Sequence, residues 1–201
     1  MIRKATNEQI KFYENVLYPL QDIVLSDNNI LPFYLTGGTA LSRYYYQHRY
    51  SDDLDFFCDG LKYSNQDFLG FCQKLIYSLE SKFDNIEITI NGELYKRLFV
   101  VKQNVRLKIE FVYEAYKTIK EKKIMNTFYL DTKENICTNK ITAISDRKTL
   151  KDYIDLFYLF NDICFEDAIK WAEYKIVPLD YENAIIAFKD TLNNLEGDIV
   201  L

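Results

Sequence analysis

Two aspartates two positions apart, Asp53 and Asp55 in the run Asp53-Leu54-Asp55-Phe56, are residues whose types and spacing could do chemistry. In an extended strand, side chains at i and i+2 leave the same face, so both carboxylates point one way while Leu54 and Phe56 point the other. Two such carboxylates can hold hard cations between them, and a third from a neighbouring strand completes the oxygen ligands that Mg²⁺ demands. Glu110 is the candidate third: Val105, Leu107, Ile109 and Phe111 alternate with Arg106, Lys108 and Glu110, which puts Glu110 on a polar strand face. Without a metal or base, three carboxylates on one face repel and raise one another's pKa. Upstream, Gly37-Gly38 follows the apolar run Phe33 to Leu35 and opens a helical stretch. A glycine turn at a helix start offers unpaired backbone N–H groups and the positive end of the helix dipole, which suits a phosphate. Each feature alone has a plainer meaning, a turn or a solvated face; their order makes a metal-phosphate site the stronger reading.

The elements that must position these residues follow from periodicity. Thr6 to about Leu25 carries apolar residues at helical spacing, with Thr6 and Gln9 as a capping box and Pro19 as a kink or break. Phe33 to Leu35 reads as a strand, Thr39 to His48 as a helix, and Asp53 to Phe57 as the carboxylate strand. Ser64 to Lys82 reads as a helix capped by Ser64 with Asp67. Three strands should follow: Asn85 to Ile90, with Ile86, Ile88 and Ile90 on one side, then Glu93 to Val101 after the Asn91-Gly92 hairpin signal, then Val105 to Val112 after a Gln103-Asn104 turn. From about Asp131 the pattern turns helical, over Lys133 to Ser145, Thr149 to Asp162, Phe165 to Tyr174 and Tyr181 to Leu195. The expected class is α+β, a mixed sheet flanked by helices, divided into a core of residues 1–115 and a mainly helical region of residues 116–201 that completes the site.

Composition bounds the function classes. A chain of 201 residues with 48% hydrophobic and 27% charged residues is an ordinary globular one, which excludes disordered and fibrous readings. No apolar run approaches a membrane span, and the opening MIRKATNEQIK has no apolar signal core, so the cytoplasm is the expected location and no membrane partner is expected. Cys58, Cys72, Cys137 and Cys164 form no CxxC pair, and His48 is the single histidine, which leaves little material for zinc sites or histidine triads. Carboxylates must carry any catalysis. Between Lys117 and Lys151, nine Lys/Arg face four Asp/Glu on a chain of net charge −5, a local basic surface that leans toward a phosphate-bearing polymer such as RNA.

The stretch Tyr34 to Phe57, YLTGGTALSRYYYQHRYSDDLDFF, resembles the nucleotidyltransferase toxins of the AbiEii/AbiGii family, within the polymerase-β-like nucleotidyltransferase superfamily, which show a glycine pair, a helix and then Ser-x-Asp-x-Asp. The resemblance continues through LKIEFV at Glu110 and through NKITAISDRKTLKDYIDLFYL, Asn139 to Leu159. It implies that Gly37, Gly38 and Thr39 hold nucleotide phosphates, that Ser51 braces the turn before the carboxylate strand, and that Asp53 and Asp55 are metal ligands. Lys140 matches the family's lysine that meets the triphosphate, and Asp152 its later carboxylate, which orients or deprotonates the acceptor. Arg147 is a candidate phosphate contact, and Asp155, one turn beyond Asp152, a structural residue. Where the superfamily often has Asp as third carboxylate, this chain has Glu110, one methylene longer.

The implied activity is a nucleotidyltransferase, dependent on Mg²⁺ or Mn²⁺, that moves an NMP from an NTP to an acceptor hydroxyl, on a tRNA or other RNA end or on a protein, as a toxin with a separately encoded antitoxin. A non-catalytic nucleotide- or partner-binding module on the same scaffold is the alternative, against which stand the intact Asp53 and Asp55. A glycosyltransferase using the DxD would leave Gly37-Gly38 and Lys140 unexplained. For the helix after Thr149, Lys148 with Asp152 and Lys151 with Asp155 could instead be ordinary i,i+4 pairs. His48 reads as a helix-end residue, and Tyr44 to Tyr46 could include a ring on which a base stacks.

Overall fold

The structure, a computed structural model, describes residues 2–144, 149–175 and 199–200. A short strand β1 (Ile2–Arg3) precedes helix α1 (Asn7–Phe12), which the Thr6/Gln9 capping box opens as expected. The helix does not break at Pro19: its ladder widens through a π-helical stretch, Tyr13–Leu17, and α2 (Tyr18–Leu25) continues with the proline in its first turn, where a missing N–H is tolerated. Strand β2 (Phe33–Thr36) then runs directly into α3 (Gly37–Leu41) and a further π-helical turn, Ser42–Tyr46.

Strand β3 (Leu54–Asp59) follows, then α4 (Asn65–Glu80), capped by Ser64 and Asp67 in reciprocal hydrogen bonds. The meander β4 (Asn85–Asn91), β5 (Tyr95–Lys102) and β6 (Val105–Glu114) comes next. Gln103 and Asn104 both take left-handed φ, 50° and 64°, as a mirror-image hairpin turn requires. Two short strands, β7 (Lys123–Ile124) and β8 (Tyr129–Leu130), lead into α5 (Lys133–Ile144), α6 (Leu150–Leu159) and α7 (Phe165–Lys175). β9 (Ile199–Val200) pairs in parallel with β1. The helix expected over Tyr181 to Leu195 lies outside the described residues.

The main sheet has seven strands in the order β4-β5-β6-β3-β2-β8-β7, mixed in direction. β3 lies antiparallel to β2 and parallel to β6, with Asp55 opposite Glu110 and Thr36 opposite Asp55. One sheet face carries Leu54, Phe56, Cys58, Leu107, Ile109 and Phe111, all fully buried, and with them Phe68, Cys72, Leu75 and Leu79 of α4. The opposite face of the same strands is the polar one that α5 approaches, so alternation along β3 and β6 separates core from chemistry.

β4 is the edge strand: its register shifts between Ile88 and Ile90, and those two side chains are 48% and 37% exposed. Beyond residue 115, β8 extends the sheet beside β2, and Ile136, Ile141, Leu156, Leu159 and Ala168 belong to the same buried cluster as the strands. Among the described residues no helix is long and apolar enough to cross a membrane. The ring of Phe111 lies 4.9 Å from Phe33 and 5.7 Å from Phe56, centroid to centroid, with no exposure. Phe111→Ala should therefore lower unfolding free energy by about 3–5 kcal/mol, read from denaturant curves.

Candidate active site

Gly37 takes a φ of +70°, and a Cβ there would stand 2.6 Å from Asp55 Oδ2, so both the backbone conformation and the close approach require glycine. At Gly38 a Cβ would stand 2.2 Å from Arg49 Nη2 and 3.2 Å from Ser51 Oγ. The glycine pair is thus wedged between the carboxylate strand on one side and an arginine on the other. Thr39 is buried, and its hydroxyl donates to the Asp53 carbonyl, which ties the glycine helix to the start of β3. Ser51 is buried beneath Gly38, and its carbonyl accepts from Gln21 Nε2 at 3.3 Å.

Lys108 links two of the carboxylates. Asp53 pairs with Lys108 Nζ at 2.8 Å, and the same ammonium reaches Glu110 at 2.9 Å. Glu110 also accepts from Tyr95 Oη and, at 2.8 Å, from Arg97. Burial works against its ionisation, but the hydrogen bonds from Tyr95, Lys108 and Arg97 hold its carboxyl down to about 2. Asp55, beside it, receives no donor from the described residues. Burial first, then the charges of Glu110 and Asp53, push the Asp55 carboxyl up to about 7.

Facing this strand surface is one face of α5, with Ile136, Asn139, Lys140 and Ala143 at helical spacing. Between the two lies a cleft of about 540 Å³ lined also by Thr36, Gly37, Phe57, Tyr95, Arg97, Lys108 and Val112. Asp131, which sequence reasoning missed, joins the walls: it accepts from Thr36 at 2.7 Å on the β2 side and from Asn135 Nδ2 at 2.8 Å on the α5 side. Burial pushes its carboxyl up to about 6 despite those two bonds.

Lys140 is buried and its ammonium bridges Asp152 at 2.8 Å and Asp155 at 2.6 Å. Asp152 also accepts from Thr149 at 2.5 Å. Asp155, fully buried, takes His48 Nε2 at 2.6 Å and both Arg49 Nε and Nη2 at 2.8 Å. Although burial opposes it, the Lys140 charge and the bonds from Arg49 and His48 hold the Asp155 carboxyl well below the usual carboxylate range. Asp155 is the centre of a buried ionic cluster rather than half of a surface pair with Lys151. His48 is correspondingly buried, and its Nδ1 has no partner among the described residues. The tyrosines read as a stacking candidate are tethered: Tyr45 donates to the Asp131 carbonyl, Tyr46 to Asp162, and Tyr44 packs on Phe128. Arg147 lies outside the described residues.

With this geometry the comparisons agree. Residues 24–177 match the model of the nucleotidyl transferase AbiEii toxin family, a type IV toxin–antitoxin system. The chain belongs to that family. Among solved structures it is similar to JHP933 from Helicobacter pylori, with 20% identity over 88% of this chain and 89% of that one and a TM-score of 0.58. An H. pylori protein classed as a nucleotidyltransferase aligns over 96% of this chain and 100% of its own at 18% identity and a TM-score of 0.60. The Megavirus polyadenylate synthase aligns over 76% of this chain and 33% of its own at 14% identity and a TM-score of 0.50. These likenesses show the nucleotidyltransferase fold. No curated protein matches the chain.

Among the described residues no three His, Cys, Asp or Glu side chains are gathered into a ready metal cage. The donors nonetheless suit a hard cation: Asp55 is an oxygen donor open to the cleft and short of positive charge, and a lysine ammonium already bridges Asp53 and Glu110.

The two buried carboxylates predict opposite effects on stability. A carboxyl raised in the folded chain keeps its proton after the unfolded chain has lost it, so the Asp55 contribution declines as pH rises from about 4 to about 7. Asp55→Asn, in chelator at pH 8, should raise unfolding free energy by about 2 kcal/mol, a figure reduced from the full shift because the carboxylate borders solvent, and the gain should vanish at pH 4. Asp155→Asn should lower it by about 3–5 kcal/mol, since Arg49 and Lys140 would lose a buried counterion. Thermal unfolding across pH checks both signs.

Proposed function

We propose that this family member transfers an NMP from an NTP to an acceptor hydroxyl in the cleft between β3, β6 and α5, with Mg²⁺ or Mn²⁺. The observation that carries the reading is the convergence, on one cleft, of the Gly37 turn, Asp55, Glu110 and Lys140. In this reading Gly37 and Gly38 offer backbone N–H groups at a helix start to the phosphates, and their lack of side chains lets the triphosphate approach Asp55. Lys140, fixed from behind by Asp152 and Asp155, holds an ammonium toward the phosphate charge that develops as pyrophosphate departs. The acceptor oxygen bonds to the α-phosphorus as the bond to the bridging oxygen breaks, and the hydroxyl proton passes to the carboxylate cluster. Asp53 and Asp55 would hold the metal, with Glu110 beside them, and the bound ion would neutralise phosphate charge and favour the acceptor alkoxide. Asp152 acts here by aiming Lys140; its contact with that lysine supports this over direct contact with the acceptor.

For the acceptor, the basic segment favours RNA over protein. Lys140 of that segment is in the cleft wall and Lys122 is tied to Asp59 at 3.4 Å, while Lys117, Lys120, Lys123 and Lys151 are exposed. A type IV system implies a separately encoded antitoxin as partner.

Transfer of label from each α-phosphate-labelled NTP to total RNA and total protein, with Mg²⁺ or Mn²⁺, tests the reading. Label should appear on RNA and fall by at least about a hundredfold in Asp53→Ala/Asp55→Ala. NTP binding without label on either polymer would favour the binding-module alternative. A graded loss of RNA binding with salt, steeper in the parent chain than in Lys120→Glu/Lys123→Glu, should accompany transfer to RNA.

A further inference from the structure

Beyond the carboxylates, the cleft turns apolar. Along β3 the side chain after Asp55 on the same face is Phe57, and along β6 the one after Glu110 is Val112, each displaced by about 6.6 Å, two strand residues. Ile136 and Ala143 of α5 line the other side. With phosphates at the glycine turn, this apolar end is where a planar base would lie, and the polar side chain on that helix face beside Lys140 is Asn139.

Asn139 is held in one orientation. Its Oδ1 accepts from Lys175 Nζ of α7, and Lys175, itself buried, is anchored by Glu114 at 2.9 Å, which in turn accepts from Tyr34 Oη at 2.9 Å. An ammonium only donates, so the amide must turn its oxygen to Lys175 and its NH₂ group away. Among the described residues that NH₂ has no protein partner. A freely turning amide could read an adenine edge with one donor and one acceptor; an amide whose oxygen is taken by a lysine meets the base as a donor.

We infer that the Asn139–Lys175 pair makes this cleft select nucleotides with an oxo group, rather than an amino group, on the base edge facing α5: UTP over CTP among pyrimidines and GTP over ATP among purines. The inference rests on the cleft being the NTP site. A mispaired edge sets two donors against each other in a desolvated pocket, which makes polar mismatches strongly discriminating.

Calorimetry with non-hydrolysable analogues of the four NTPs, in Mg²⁺, on the full chain tests it. The expected result is at least about tenfold tighter binding of the UTP and GTP analogues than of their amino counterparts. Asn139→Asp keeps the bond to Lys175 but presents an acceptor, and should reverse the order within each pair. Asn139→Leu, which lacks both, should erase the preference while retaining binding. Equal affinities in the parent chain, or a preference that both variants leave unchanged, would overturn the inference and leave the nucleotide site standing. No binding of any analogue by the folded parent chain would overturn both.

Discussion

A carboxylate with no exposure cannot stay ionised unless cations surround it, and Asp155 draws its cations from distant parts of the chain. Arg49 and His48 come from the segment between the glycine helix and the carboxylate strand, Lys140 from α5, and Asp155 itself from α6. Because an uncompensated charge there would cost several kcal/mol, these segments are obliged to meet. The consequences reach the cleft. Arg49, pinned to Asp155, fills the space beneath Gly38 and fixes the height of the glycine turn; Lys140, pinned to the same carboxylate, cannot swing away from the opposite wall. A single buried ion thereby sets both the floor and one side of the site.

The front of the site has the contrary electrostatics. Asp55 and Glu110 face the cleft with Lys108 and Arg97 beside them, and the donors go to Glu110 and Asp53 while, among the described residues, Asp55 has none. Glu110 stays ionised and Asp55 carries the burden of like charge. The rear cluster is saturated with partners and the front one is short of positive charge. That difference marks one as scaffold and the other as the place where a ligand's charge can still act.

Much of the fold was legible because its signals are local. The capping boxes at Thr6 and Ser64, the left-handed turn at Gln103-Asn104 and the alternation of Leu54, Phe56 and Cys58 against Asp55 and Phe57 each depend on residues a few positions apart. The carboxylate pair and the glycine turn were legible for the same reason, and the meander from Asn85 to Glu114 was placed by strand period. What local pattern could not supply was partner choice over distance. Asp155 sits in a helix with lysine four positions before it, a pattern common on solvated faces, and nothing near it announces Arg49. Asp131 lies in a short segment whose neighbouring strand β8 spans Tyr129 to Leu130, too short for periodicity to detect. The isoleucines of β4 have the alternation of a buried face, but their exposure follows from an edge position, which is a property of the whole sheet.

The residues after 115 help to shape the site. A strand surface bearing three carboxylates would by itself be an acidic face open to water, where charge interactions are weak. α5 closes over it, excludes part of that water and brings Lys140 into the space, so the field at Asp55 depends on a helix that the first half of the chain does not contain. α5 in turn is aimed by Asp131 at its start, by Asp152 and Asp155 from α6, and by the Asn139–Lys175 bond from α7. Those attachments are polar and buried, and each leaves an unsatisfied group if the helix shifts, so they fix orientation more sharply than apolar packing would. The chemistry is thus written on one strand surface, while the geometry that makes it usable comes from the helices packed against it.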